Sequence, residues 1–168
     1  MTKLRAILLT DVVDSTKLTQ ELGDAVSLQL WTAHDRIARD LLVVWRGREI
    51  DKTDGLLLIF ESVADAASYA IAYHLALAGL VVPFKARAGL HWGPGKLRAN
   101  SKADIKLGAK PFELEGLAKP VAARVMAVAQ SGQTLMTEDA RAQLGESHLR
   151  LKSHGHWRLK GLPEPIQL

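Results

Sequence analysis

An α+β sandwich with a mainly antiparallel sheet, of the ferredoxin-like kind with additions, is the fold class the sequence predicts. Three observations carry it. A short apolar run near the start leads straight into helix-capping residues, an Asp-Gly turn lies between two strand-like segments, and helical periodicity alternates with strand patterning along the rest of the chain.

In chain order, residues 4–9 read as a buried strand, and Asp14, Ser15 and Thr16 supply N-cap chemistry for a helix carrying Leu18 and Leu22. Gly23 and Asp24 punctuate it. Val26, Leu30, Ala33, Ile37, Leu41 and Val44 then recur at helical spacing, which predicts a long amphipathic helix that Gly47 stops. Residues 48–51 and 56–60 predict two strands around the turn Lys52-Thr53-Asp54-Gly55, because Asp-Gly is a strong hairpin signal. Residues 63–79, rich in alanine, predict a third helix, and residues 84–91 a strand closed by Gly93-Pro94-Gly95. The next segment holds Lys96, Arg98, Lys102, Lys106 and Lys110 and reads as an extended, solvated basic arm. Residues 117–129 predict a helix, 134–136 a short strand, 137–144 a capped helix, and 149–151 with 157–159 closing strands.

The 168 residues, 48% hydrophobic and 24% charged, suit a single domain spanning residues 1–168 with a core of its own. The strand-like ending is compatible with a domain cut from a longer protein. Without cysteine, disulfides, thiolate metal sites and a cysteine nucleophile are excluded. The opening residues fit neither a signal peptide nor a membrane span, so the expected location is cytoplasmic. Lys and Arg number 22 against 18 Asp and Glu, a balance that suits a polyanionic partner. An RNA-binding sheet needs stacking aromatics, and at 5% aromatic content no strand carries them, so no nucleic-acid partner is expected. His148, His154 and His156 read as exposed side chains, and the four tryptophans as packing.

Two carboxylates carry the candidate chemistry. Asp11 follows the first strand and Asp54 occupies the hairpin turn, and an antiparallel sheet can bring such strand ends together. Hard carboxylates converging there suit magnesium or manganese with phosphate oxygens. The alternative from spacing alone is that Asp11 helps cap a helix and Asp54 makes a turn.

Five segments in order, LLTDVVDST, REIDKTDGLLLIF, RAGLHWG, EGLAKPVAARVMAVAQSGQTLMT and HWRLKG, together resemble the class III adenylate and guanylate cyclase catalytic domain over nearly the whole chain. The resemblance implies a homodimer whose active sites form between subunits, two Mg2+ or Mn2+ ions per site, and conversion of a nucleoside triphosphate, ATP by preference, to a 3′,5′-cyclic nucleotide and pyrophosphate, a reaction of signal transduction. By position it implies Asp11 and Asp54 as the metal ligands. Val12, Val13, Asp14, Ser15 and Thr16 would form the loop that holds the triphosphate, Arg124 would face the α-phosphate, and Lys160 the terminal phosphates. Lys52 and Glu113 fall near the family's base-reading positions, Lys52 only if the preceding loop is shortened by two residues. Pro120 stands where the family has the asparagine that orients the ribose. That departure keeps a second expectation open: a cyclase-like domain that dimerises or binds nucleotide as a regulatory module without making product.

Overall fold

In the computed structural model, which describes residues 3–168, the apolar opening becomes β1 (Lys3–Val12), an inner strand of the main sheet. Its period of two sends Ala6, Leu8 and Val12 into one apolar cluster and Ile7 into another, so both faces of the strand are covered. Asp14 then turns the chain with a φ of 56°, a left-handed conformation that aspartate tolerates better than most residues. Helix α1 (Ser15–Leu22) follows, and Gly23 separates it from α2 (Asp24–Val44).

The Asp-Gly turn joins β2 (Arg48–Lys52) to β3 (Leu56–Phe60) in antiparallel register, with an irregularity between Glu49 and Asp51. All five residues of β3 are buried, which accounts for its unbroken apolar run. Helix α3 (Val63–Ala78) begins where the Ser62 hydroxyl accepts the Asp65 N–H, and leads to the long β4 (Ala86–Ala99). Strands β4, β1, β3 and β2 lie in that order with α2 and α3 packed on one face, the ferredoxin-like core expected from the sequence.

The additions complete the second face. After α4 (Lys102–Lys106), β5 (Phe112–Glu115) pairs antiparallel with the far half of β4. Helix α5 (Ala118–Val128) crosses the face opposite α2 and α3, placing Ala118 and Ala122 against Ile7 and Leu57. It leads to β6 (Thr134–Met136), parallel to β4, and then α6 (Glu138–Leu144), capped by Thr137.

Three expectations are corrected. Gly93-Pro94-Gly95 does not close a strand, because β1 pairs with β4 from Lys3↔Gly95 to Val12↔Ala86. On the other edge β6 reaches only Leu90 and β5 starts at Lys96, so Pro94 falls in a gap where its missing N–H costs no ladder bond. The basic segment is solvent-exposed as expected, but it is a hairpin with a short helix and not an extended arm, held by Arg98 on Glu115 and Lys110 on Asp51. Residues 149–151 form no strand, and the two-residue strands β7 (His156–Trp157) and β8 (Ile166–Gln167) pair with each other instead of extending the main sheet.

Candidate active site

Asp11 lies one residue from the end of β1, on the face that α5 covers. Gly55 is packed so tightly against this strand end that an added Cβ would sit 1.7 Å from the Thr10 carbonyl oxygen and 3.0 Å from the Asp11 Cα. Only glycine fits, and the close approach packs the start of β3 against the end of β1, while Asp54, one residue earlier, stays exposed in the turn and lines no part of the crevice. The crevice left between these strand ends and α5 is a cavity of 240 Å³ lined by Asp11, Asp51, Thr53, Gly55, Lys119 and Met126, among others.

Its charges are paired across long stretches of chain. Arg87, directly opposite Asp11 in the β1–β4 ladder, donates to Asp11 Oδ2 from Nε at 3.1 Å and from a terminal nitrogen at 2.9 Å. Asp51 is bound by Lys110 from the β4–β5 connection and also accepts the Lys52 N–H at 2.8 Å. Arg48, at the start of β2, lies 4.3 Å over the Phe112 ring and ties β5 to the same edge. Of this set only Asp11 offers a hard cation an unengaged oxygen, because Asp51 Oδ1 accepts the Lys52 N–H and Oδ2 is paired with Lys110. Both Arg87 bonds fall on Oδ2, so Asp11 Oδ1 stays open, and Asp51 faces the same cavity. Among the described residues no group of three or more carboxylate or imidazole side chains converges, so the oxygens of a bound substrate have to complete any ion's shell.

Beside this cavity the loop after β1 opens a second one of 290 Å³, lined by Asp11, Val12, Val13, Asp14 and Arg87 with Ser131. The Val13 N–H is already used on the Lys85 carbonyl at 2.8 Å. The first intrahelical bond of α1 is Leu18 N–H to Asp14 O, which leaves the amides of Ser15 and Thr16 without a partner inside the helix.

The remaining expected residues lie elsewhere. Lys52 is one residue from Asp51 and therefore on the other face of the sheet, where it pairs with Asp35 at 3.3 Å and lies 5.7 Å from the Trp31 ring. Asp35 in turn accepts from His34 Nδ1 at 2.9 Å, and His34 Nε2 meets the Tyr73 hydroxyl at 2.7 Å. His34 is fully buried, and burial lowers its pKa from the usual histidine value, against the opposing pull of Asp35. The structure thus does not bring Lys52 to Glu113, which sits in β5 with Asn100 Nδ2 at 3.4 Å. Arg124 and Lys160 are exposed, as is Pro120. At 100° per residue, Arg124 is about 140° around α5 from Lys119, so it faces away from the Asp11 cavity of its own chain.

Arg87, Asp51, Lys110 and Lys119 are the site residues that sequence reasoning missed. Arg87 had a local signal, as the one charge in the strand segment RAGLH. The other three had none, because register and helix docking decide where they point.

No protein-family model matches the sequence, and no curated protein matches it. Solved structures do. The adenylate cyclases of Trypanosoma brucei in their monomeric state align with a TM-score of 0.84 at 21% identity, over 98% of this chain and 87% of theirs. The adenylyl cyclase CyaB of P. aeruginosa aligns at 0.86 and 15% identity, over 99% and 93%. The guanylate cyclase domain of RhGC from Catenaria anguillulae, in complex with GTP, aligns at 0.81 and 14%, over 98% and 93%. The chain is thus an α+β domain of the ferredoxin-like type with a helix on its second face. More narrowly, its fold is that of the adenylate and guanylate cyclase catalytic domains, the fold that the sequence resemblance implied.

Proposed function

We propose that this chain is a nucleotide cyclase domain that converts a nucleoside triphosphate, ATP first among the candidates, to its 3′,5′-cyclic monophosphate and pyrophosphate. The observation that carries the reading is the Asp11 cavity. A carboxylate with one open oxygen lies at a strand end beside unpartnered helix amides and next to a second carboxylate, in a fold shared with cyclase domains.

In this reading Asp11, joined by Asp54 once the exposed turn closes on the substrate, would hold two Mg2+ or Mn2+ ions with the substrate's phosphate oxygens, and the ions would supply acidification of the ribose hydroxyl and neutralisation of the leaving group. The amides of Ser15 and Thr16 in the loop from Val12 point toward the triphosphate. Glu113 accepts a hydrogen bond from an exocyclic amine of the base, whereas Lys52 would first have to give up Asp35. The 3′-oxygen bonds to the α-phosphorus, the bond from that phosphorus to the bridging oxygen breaks, and pyrophosphate leaves with the electron pair while the hydroxyl proton passes to solvent. Arg124 stabilises charge gathering on the α-phosphate and Lys160 holds the terminal phosphates, both reaching the site of a second copy. The exposure of Arg124 on the far side of α5 supports that division.

The test is incubation of the domain with each of ATP, GTP, CTP and UTP plus Mn2+, followed by detection of cyclic product. Product from at least one nucleotide, lost in Asp11→Ala, is expected. If none of the four gives product from a folded dimer, the second reading replaces this one: a cyclase-like regulatory module, favoured by Pro120 at the position that would orient the ribose.

A further inference from the structure

Lys119 had no role in the sequence reading, yet it lines the Asp11 cavity from the first turn of α5. Its place there is fixed by backbone packing. Gly89 of β4 lies so close to α5 that an added Cβ would sit 2.3 Å from the Met126 nitrogen and 2.4 Å from the Ala122 oxygen. The helix therefore cannot slide along the sheet, and Met126, two turns beyond Lys119, lines the same cavity.

The charges around this space can be counted. Asp11 is neutralised by Arg87 and Asp51 by Lys110, each through a direct ion pair. Asp54 is exposed in the turn and does not line the cavity. Among the described residues no carboxylate lies within ion-pair distance of Lys119. A half-buried lysine without a counter-charge, lining a cavity whose acids are already paired and standing at a helix start whose dipole adds positive potential, suits an anion.

We infer that Lys119 is a substrate-binding residue: its ammonium takes a phosphate oxygen of the nucleotide in the cavity of its own chain, and does so without a divalent cation. The inference deepens the cyclase reading and rests on it for the identity of the ligand.

The test uses inorganic tripolyphosphate as the probe, titrated calorimetrically into the full chain in EDTA. Wild type should bind with an affinity that falls as salt rises, Lys119→Met should weaken binding about 10-fold, equivalent to about 1.4 kcal/mol, and Lys119→Arg should stay within a few-fold of wild type. Thermal unfolding of each variant checks that the fold is kept. Equal binding by wild type and Lys119→Met, or no binding by wild type in EDTA, overturns the inference. The cyclase reading fails separately: tripolyphosphate binding that depends on Lys119, in a protein that makes no cyclic product from any nucleotide, keeps the phosphate site and removes the reaction. Conversely, cyclic product formed by Lys119→Met with an unchanged KM keeps the reaction and removes Lys119 from it.

Discussion

Burial decides the charge states of several side chains in this protein. His34 shows it most clearly. Asp35 accepts from Nδ1, so Nε2 of the neutral ring accepts from the Tyr73 hydroxyl, whose own ionisation burial pushes far above its usual range. Burial also lowers the pKa of His74 and His91. All three rings thus bind a proton less readily when folded than in the unfolded chain, where the value is about 6.5. Their contribution to stability is present above that pH and is lost as pH falls below it, since the unfolded state then takes up more protons. The urea midpoint should therefore drop between pH 7.5 and pH 5.5, a window above the titration of ordinary carboxylates. His74→Gln, which can keep a bond to the Thr134 hydroxyl, should flatten that dependence. Identical midpoints at the two pH values would contradict neutral, buried rings.

Among the elements, β4 and α5 are coupled at Gly89, and the coupling positions the site. Adding a methyl there would drive Cβ into the backbone of Ala122 and Met126, atoms that cannot move without the helix. Gly89→Ala should cost about 1–3 kcal/mol by overpacking. It should also lift α5 from the sheet and carry Lys119 away from Asp11, so tripolyphosphate binding should weaken along with stability. A control at Gly132, where an added Cβ meets nothing within 4 Å but φ is +77°, should lose stability through backbone strain alone and leave anion binding unchanged. Equal anion affinity in Gly89→Ala and wild type would mean that the helix position does not set the cavity.

For the whole molecule the decisive question is whether one chain contains a complete site. Asp11 opens inward beside α5 while Arg124 points outward from the same helix, which argues for a site assembled from two copies, each giving its carboxylates to one site and its arginine to the other. Asp11→Ala and Arg124→Ala should each be inactive alone, by several orders of magnitude for the aspartate. Mixed after subunit exchange, they should recover part of the activity, because one of the two sites in a mixed dimer carries neither lesion. A mixture that stays inactive despite demonstrated exchange would place the site within one chain.

What the sequence determined by itself were the features with local causes. The Asp-Gly turn and the helical spacing of α2 marked where those elements lie, and the apolar run marked the middle of β1, but pairing with β4 carries that strand on from the expected residues 4–9 to Val12 and takes Asp11 into it. The ferredoxin-like order of strands followed from that succession. Only the tertiary structure decided which charges meet. Asp11 finds Arg87 from 76 residues away because the β1–β4 register sets them opposite one another. The same register carries β4 through Gly93-Pro94-Gly95, since a partner strand outweighs a local turn signal. Asp51 and Lys52, adjacent in sequence, part to opposite faces of the sheet, one into the cavity with Lys110 and the other to Asp35 on α2. A strand alternates its side chains every residue, so which of two neighbours enters a site depends on a register that distant segments impose.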